Sequence, residues 1–243
     1  MRWVVISTDN NPDYYQYLPI VKKAWNILGW NTLTMTIGIN FEDDEKNKHL
    51  SLDNLNLPIR NFSLAQISRL WGWKSDFIKD DEIIMTSDID MLPCTNYWNP
   101  KEKQITTYGH DLTNYEQYPM CYIAMEKSKW REVLKNKSIA DVIKDYPHVY
   151  TDEDKQELFN QHSRKNWKKY WFVDQEIITD YLKPHVVENV IRFTKEGFLR
   201  LDRCCWDETK NIEHPIDCHL HRPYNKEITE TIFNRFFRDD RKN

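Results

Sequence analysis

Strand-like segments that alternate with helical ones mark this chain as an α/β protein with a mixed, mainly parallel sheet and helices on both faces. Three observations lead there. Short apolar runs recur between stretches of helical spacing. Aromatic residues make up 14% of the 243 residues, with 10 Trp and 13 Tyr, and such side chains bury large areas. No internal repeat and no Pro/Gly/Ser linker interrupts the chain, so residues 1–243 are expected to form a single domain. Only 5 Gly and 10 Pro exclude collagen-like and low-complexity classes. A net charge of −4 gives no footprint for nucleic-acid binding. No apolar run approaches the ~20 residues that a membrane span needs.

In chain order, Arg2–Ser7 is an apolar strand that runs into the polar turn Thr8–Pro12. Helical spacing extends from about Tyr14 to Leu28, with Tyr17, Ile20, Val21, Ala24 and Leu28 on one face and Gly29 as terminator. Asn31–Ile39 alternates as a second strand, and the acidic run Glu42–Glu45 reads as a solvated loop. Ser63–Trp73 is a helix that Ser63 is placed to cap. Glu82–Thr86 is an apolar strand that ends abruptly in Ser87-Asp88-Ile89-Asp90. Beyond it, Gln104–Tyr108, Met120–Met125, Val186–Phe193 and Gly197–Leu201 read as strands. Lys127–Leu134, Ile139–Tyr146, Lys155–Tyr181 with a break near Trp171–Val173, and Ile228–Phe237 read as helices.

Five cysteines, an odd number without a Cys-x-x-Cys pair, favour reduced thiols over a disulfide framework or zinc knuckle. Met1–Ile6 is too short for a signal-peptide core. Both features lead us to expect a cytoplasmic protein. Cys204, Cys205 and the scattered Trp residues are read as core.

The chemistry concentrates in Ile83–Pro93. A parallel strand delivers the residues at its end to the carboxyl edge of the sheet, where open α/β folds bind ligands. Two carboxylates there, framed by apolar residues, are costly without a compensating cation. A divalent metal holding a diphosphate is one such cation, and hard oxygen ligands suit Mg²⁺ or Mn²⁺. The alternative is a simple turn in which Asp88 caps Met91 and Asp90 faces water.

Strand–Asp88-x-Asp90–Leu92-Pro93 resembles the Asp-x-Asp motif of the GT-A glycosyltransferases. Further blocks occur in that family's order. Ala65–Leu70 is similar to a helix of glycogenin-like enzymes, Met120–Lys127 to their strand after the motif, and Trp171–Glu176 to their Asp-Gln block. Asp217–Tyr224 lies where GT-A enzymes place a late metal-binding His. The resemblance spans roughly residues 1–225, and small viral and bacterial capsule-type transferases are an equal comparison.

The resemblance implies a GT-A, Rossmann-like fold and a metal-dependent glycosyltransferase. Such an enzyme moves a sugar from a nucleotide-diphospho-sugar, UDP being the commonest, to a glycan or glycoprotein hydroxyl. Asp90 would be a metal ligand, with Asp88 on the ribose or on the metal. His219 is preferred over His221 as the late ligand, because a strand-like Asp217-x-His219 puts both side chains on one face. An imidazole ligand tilts the metal toward Mn²⁺ rather than Mg²⁺. Thr8, Asp9, Asn10 and Tyr14 come just after the first strand, where this fold holds the nucleobase and ribose; their alternative is turn chemistry. Arg69 suits a diphosphate or sugar through its rigid fork, or else an ordinary salt bridge. The Asp-Gln block puts Asp174 at the transferred sugar or the acceptor as the catalytic carboxylate, with Gln175 beside it as a substrate contact; the alternative for Asp174 is a helix cap. Two other functions remain open: a haloacid-dehalogenase-like phosphatase using Asp88 and Asp90, and a non-catalytic sugar-binding protein of the same fold.

Overall fold

The computed structural model describes residues 1–57, 59–110, 117–146, 149, 172–193, 197 and 199–237. Strand β1 (Arg2–Thr8) sits inside a seven-stranded sheet with β2 (Asn31–Thr36), β3 (Asn47–Ser51), β4 (Ile83–Thr86), β6 (Thr106–Tyr108), β7 (Ile123–Glu126) and β8 (Asn189–Ile191). The order is β3-β2-β1-β4-β7-β6-β8, and β7 alone runs against its neighbours. A second sheet of three short strands has the order β5-β10-β9, from β5 (Met91–Pro93), β9 (Leu201–Asp202) and β10 (Asp217–His219). The mixed, mainly parallel expectation is therefore met.

Strand alternation assigns each face its core. Trp3 and Val5 of β1 and Ile84 of β4 join a cluster with α3 (Asn61–Ser68), the 3-10 helix Arg69–Lys74, α4 (Lys127–Val133), α5 (Ile139–Ile143) and α6 (Val173–Leu182). Val4, Ile6, Ile83 and Met85 join the opposite cluster with α2 (Leu18–Ile27), the small sheet and α8 (Lys226–Phe237), which comes after the short helix α7 (Trp206–Thr209). Trp98 and Tyr122 stack in the second cluster with ring centroids 4.1 Å apart. Tyr122 also donates to Asp217 Oδ2 (2.8 Å), and Arg200 forks onto the same carboxylate, which ties the small sheet to the large one. Among the described residues no helix is long and apolar enough to cross a membrane.

Several local expectations change. The single helix Tyr14–Leu28 is two, α1 (Pro12–Tyr15) and α2, because Pro19 has no N–H to continue a helix and instead begins the second one. Gly29 ends α2 at φ +82°, a conformation that glycine adopts without steric cost. Ser63 does not cap: α3 begins at Asn61 and buries Ser63 inside it. The helix then tightens to 3-10 geometry where Gly72 meets β1; a Cβ there would come within 2.4 Å of Val5 Cγ2. The acidic loop is exposed as expected, and its Asp43 and Asp44 accept backbone N–H bonds that start β3, a strand the sequence pattern did not reveal. Cys204 and Cys205 are exposed on a turn rather than in the core, while Trp3, Trp25, Trp30, Trp71, Trp73, Trp98 and Trp130 are buried as expected. All five thiols are free. The part of the expected Lys155–Tyr181 helix before Phe172 lies outside the described residues, as do Trp167, Tyr170 and Trp171. The strand β5 and the short helix α7 were not expected, and β9 meets the expected Gly197–Leu201 strand at Leu201 alone; the remaining described strands and helices stand within a few residues of their expected bounds.

Candidate functional site

The carboxyl ends of β1, β2 and β4 lie side by side: Thr8 pairs with Thr36, and Ser87 N–H donates to Val5 O (2.9 Å). The chain leaves β4 at this edge, turns through Ser87–Asp90 and enters β5 of the small sheet. The Asp-x-Asp pair therefore occupies the junction of the two sheets. Met91 N–H donates to the backbone carbonyl of Asp88 (3.2 Å), not to its side chain, and Asp90 is 3% exposed rather than facing water. The simple-turn alternative fails on both points.

The two carboxylates face different partners. Asp88, part-exposed, accepts from Arg69 Nη1, and Arg69 Nη2 donates to Asp174. Arg69 comes from the start of the 3-10 helix and Asp174 from the first turn of α6. Both are buried, Asp174 at 1% exposure. Asp174 Oδ1 also accepts from Gln175 N–H (2.8 Å). Phe172, not Asp174, holds the cap position of α6, so Asp174 is not the helix cap. Gln175 is half-buried beside it.

Asp90 is held from the C-terminal part of the chain. Its Oδ2 accepts from Arg203 Nη1 (2.6 Å) and from Arg222 Nε (2.9 Å) and Nη2 (2.7 Å). His219 Nε2 stands 3.5 Å from the same oxygen, and its Nδ1 lies 3.2 Å from Asp202 Oδ1. Burial disfavours the charged form of Asp90, but His219, Arg222 and Arg203 outweigh it and hold the carboxyl well below the usual carboxylate range. Burial likewise opposes protonation of His219, and the bonds to Asp202 and Asp90 overcome it, so its pKa rises. Arg222 also lies over the Tyr14 ring (4.9 Å to the centroid) and donates to its hydroxyl (2.6 Å).

The structure thus brings together Asp88, Asp90, Arg69, Asp174, His219 and Tyr14. Thr8 and Asp9 are buried at the end of β1, and Asp9 Oδ1 accepts from Asn11 N–H (3.1 Å), a turn contact; Asn10 is exposed. His221 faces elsewhere: its ring packs edge-on against Trp206, 4.5 Å between centroids. Burial and then Arg203 push its pKa down. Sequence reasoning gave no role to Arg203, Arg222 or Asp202. Arg222 stood inside the late His block and was the available signal; Asp202 and Arg203 directly precede a Cys-Cys pair that drew a core reading.

No protein-family model matches the sequence, and no curated protein sequence does. Solved structures do match the fold. The galactosyltransferase LgtC, crystallised with donor and acceptor sugar analogs, superposes with a TM-score of 0.54 at 13% identity, over 97% of this chain and 96% of that one. An active-site mutant of LgtC gives 0.53 at 14% identity over 97% and 95%. The apo glycosyltransferase GlyE of Streptococcus pneumoniae gives 0.55 at 11% identity, over 98% of this chain and 60% of that one. The fold is that of the GT-A glycosyltransferases.

Proposed function

We propose that this protein is a metal-dependent glycosyltransferase that moves a sugar from a nucleotide-diphospho-sugar, UDP by preference, to a hydroxyl of a glycan or glycoprotein. The observation that carries the reading is the convergence of Asp90, His219, Arg203 and Arg222 at the carboxyl edge of a GT-A sheet. A phosphatase of the haloacid-dehalogenase kind loses its support with this fold. A non-catalytic binding protein shares the fold and differs only in releasing no nucleotide.

The donor types suit Mn²⁺: a carboxylate oxygen of Asp90 stands 3.5 Å from an imidazole nitrogen of His219, an O/N combination that this ion accepts, while Asp88 is held by Arg69 and would have to turn from it to join them. When bound, the ion neutralises charge on the leaving diphosphate. Arg203 and Arg222 bring two guanidinium groups whose fork geometry matches phosphate oxygens, and in this reading they turn from Asp90 to the diphosphate. Thr8, Asp9, Asn10 and Tyr14 line the nucleoside side, and Gln175 the sugar side. Asp174 is turned onto Arg69 instead of toward open space, so it acts as a positioning residue: through Arg69 it fixes Asp88.

The test is nucleotide release from UDP-sugars and their GDP and dTDP relatives, each with Mn²⁺ and with EDTA. Release that requires Mn²⁺ supports transfer; binding without release makes the protein a lectin-like relative. Asp90→Asn abolishes Mn²⁺-supported turnover, because the amide keeps the shape and loses the charge that holds the cation. Asp174→Asn lowers kcat by about 10²-fold through misplacement of Asp88, with nucleotide affinity within a few fold of wild type. Turnover within about threefold of wild type would remove Asp174 from the mechanism.

A further inference from the structure

His219 has two ring nitrogens, and only one of them faces the Asp-x-Asp. Nε2 stands toward Asp90, while Nδ1 faces Asp202 on the other side of the ring. His219 and Asp202 are register partners of the parallel pair β10 and β9, so backbone pairing sets them side by side. The chain then turns through the 3-10 segment Arg203–Cys205, where Cys204 N–H donates to Asp202 Oδ1 (2.9 Å) and returns the Cys204 side chain to the pair. As a result a carboxylate oxygen of Asp202, Sγ of Cys204 and an imidazole nitrogen of His219 all lie within 4.8 Å of one another. Asp202 and His219 are half-buried and Cys204 is exposed, so an ion has a route from solvent. The neighbouring Cys205, also exposed, is not in the group.

We propose that Asp202, Cys204 and His219 form a site for a thiolate-seeking divalent cation, Zn²⁺ by class, beside the Asp-x-Asp; a neutral imidazole offers one nitrogen lone pair, so an ion held here through Nδ1 competes with use of His219 Nε2 at the Asp-x-Asp. Three mixed O, S and N donors with a solvent-facing fourth position match the tetrahedral preference of Zn²⁺, whereas Mg²⁺ and Mn²⁺ favour oxygen-rich sets. Binding replaces the Cys204 thiol proton, which leaves to solvent, with a metal–sulfur bond. The site rests on the β9–β10 geometry alone and stands whether or not the protein transfers sugar.

Co²⁺ titrated into the full chain is the probe, because a Co²⁺–thiolate bond gives a charge-transfer band in the near ultraviolet. The wild type develops the band at one equivalent, and added Zn²⁺ removes it by displacement. Cys204→Ser abolishes the band, and Asp202→Asn weakens Co²⁺ binding by more than about tenfold. Cys205→Ser and Asp90→Asn leave the band in place. No band in the wild type, a band that survives Cys204→Ser, or one lost in Asp90→Asn overturns the site.

Discussion

Asp88 and Asp90 sit two residues apart in one turn, yet they belong to two different regions. Asp88 is tied by Arg69 to Asp174, a pair drawn from the helical layer under the sheet and closed to solvent. Asp90 is tied to Arg203, Arg222 and His219, drawn from the small sheet and the segments flanking it, where all three partners are part-exposed. The same side-chain chemistry thus meets a buried partner pair on one side and a polar, cation-rich, part-exposed cluster on the other. What separates them is the desolvation of the partners: a guanidinium buried without its carboxylate has nowhere to go, while a part-exposed one can turn to water.

That contrast sets the order of expected effects. Asp174→Ala takes from the buried Arg69 guanidinium its one fully buried carboxylate partner and leaves it only part-exposed Asp88, and should cost about 3–5 kcal/mol of stability in urea unfolding. Asp90→Asn, with part-exposed partners, should cost only about 1–3 kcal/mol; equal losses at the two positions would erase the distinction. Because the folded carboxyl of Asp90 titrates below its ordinary 3.8, its contribution is present above that pH and is lost as pH falls beneath it. Acid unfolding should therefore begin less steeply in Asp90→Asn than in wild type. His219→Ala should weaken Mn²⁺ activation more than His221→Ala, and the reverse order would move the ligand role to His221. Arg131→Ala breaks an exposed pair with Asp80 and should change stability by no more than about 1 kcal/mol.

Much of the fold was legible because a short, β-branched apolar run such as Ile83–Thr86, too short for a helix, fits a buried strand, and the abrupt switch to Ser87-Asp88 marks where such a strand ends. The strand that carries His219 was readable from Asp217-x-His219 alternation, which β10 realises. Arg203 was not: local pattern says nothing about a side chain that reaches a turn from a distant three-residue helix. Nor was the burial of Asp174, which depends on Arg69 arriving from another layer. The exposure of Cys204 and Cys205 was misjudged for a related reason, since a cysteine pair reads as apolar until the turn that lifts it out of the core is known.

The central claim is that Asp90 and its neighbours bind a diphosphate together with a divalent cation. Isothermal calorimetry of UDP, titrated into the wild-type protein in Mn²⁺ and again in EDTA, tests it directly. UDP should bind distinctly more tightly in Mn²⁺, with no such difference in Asp90→Asn. Equal wild-type affinity in Mn²⁺ and EDTA would contradict it.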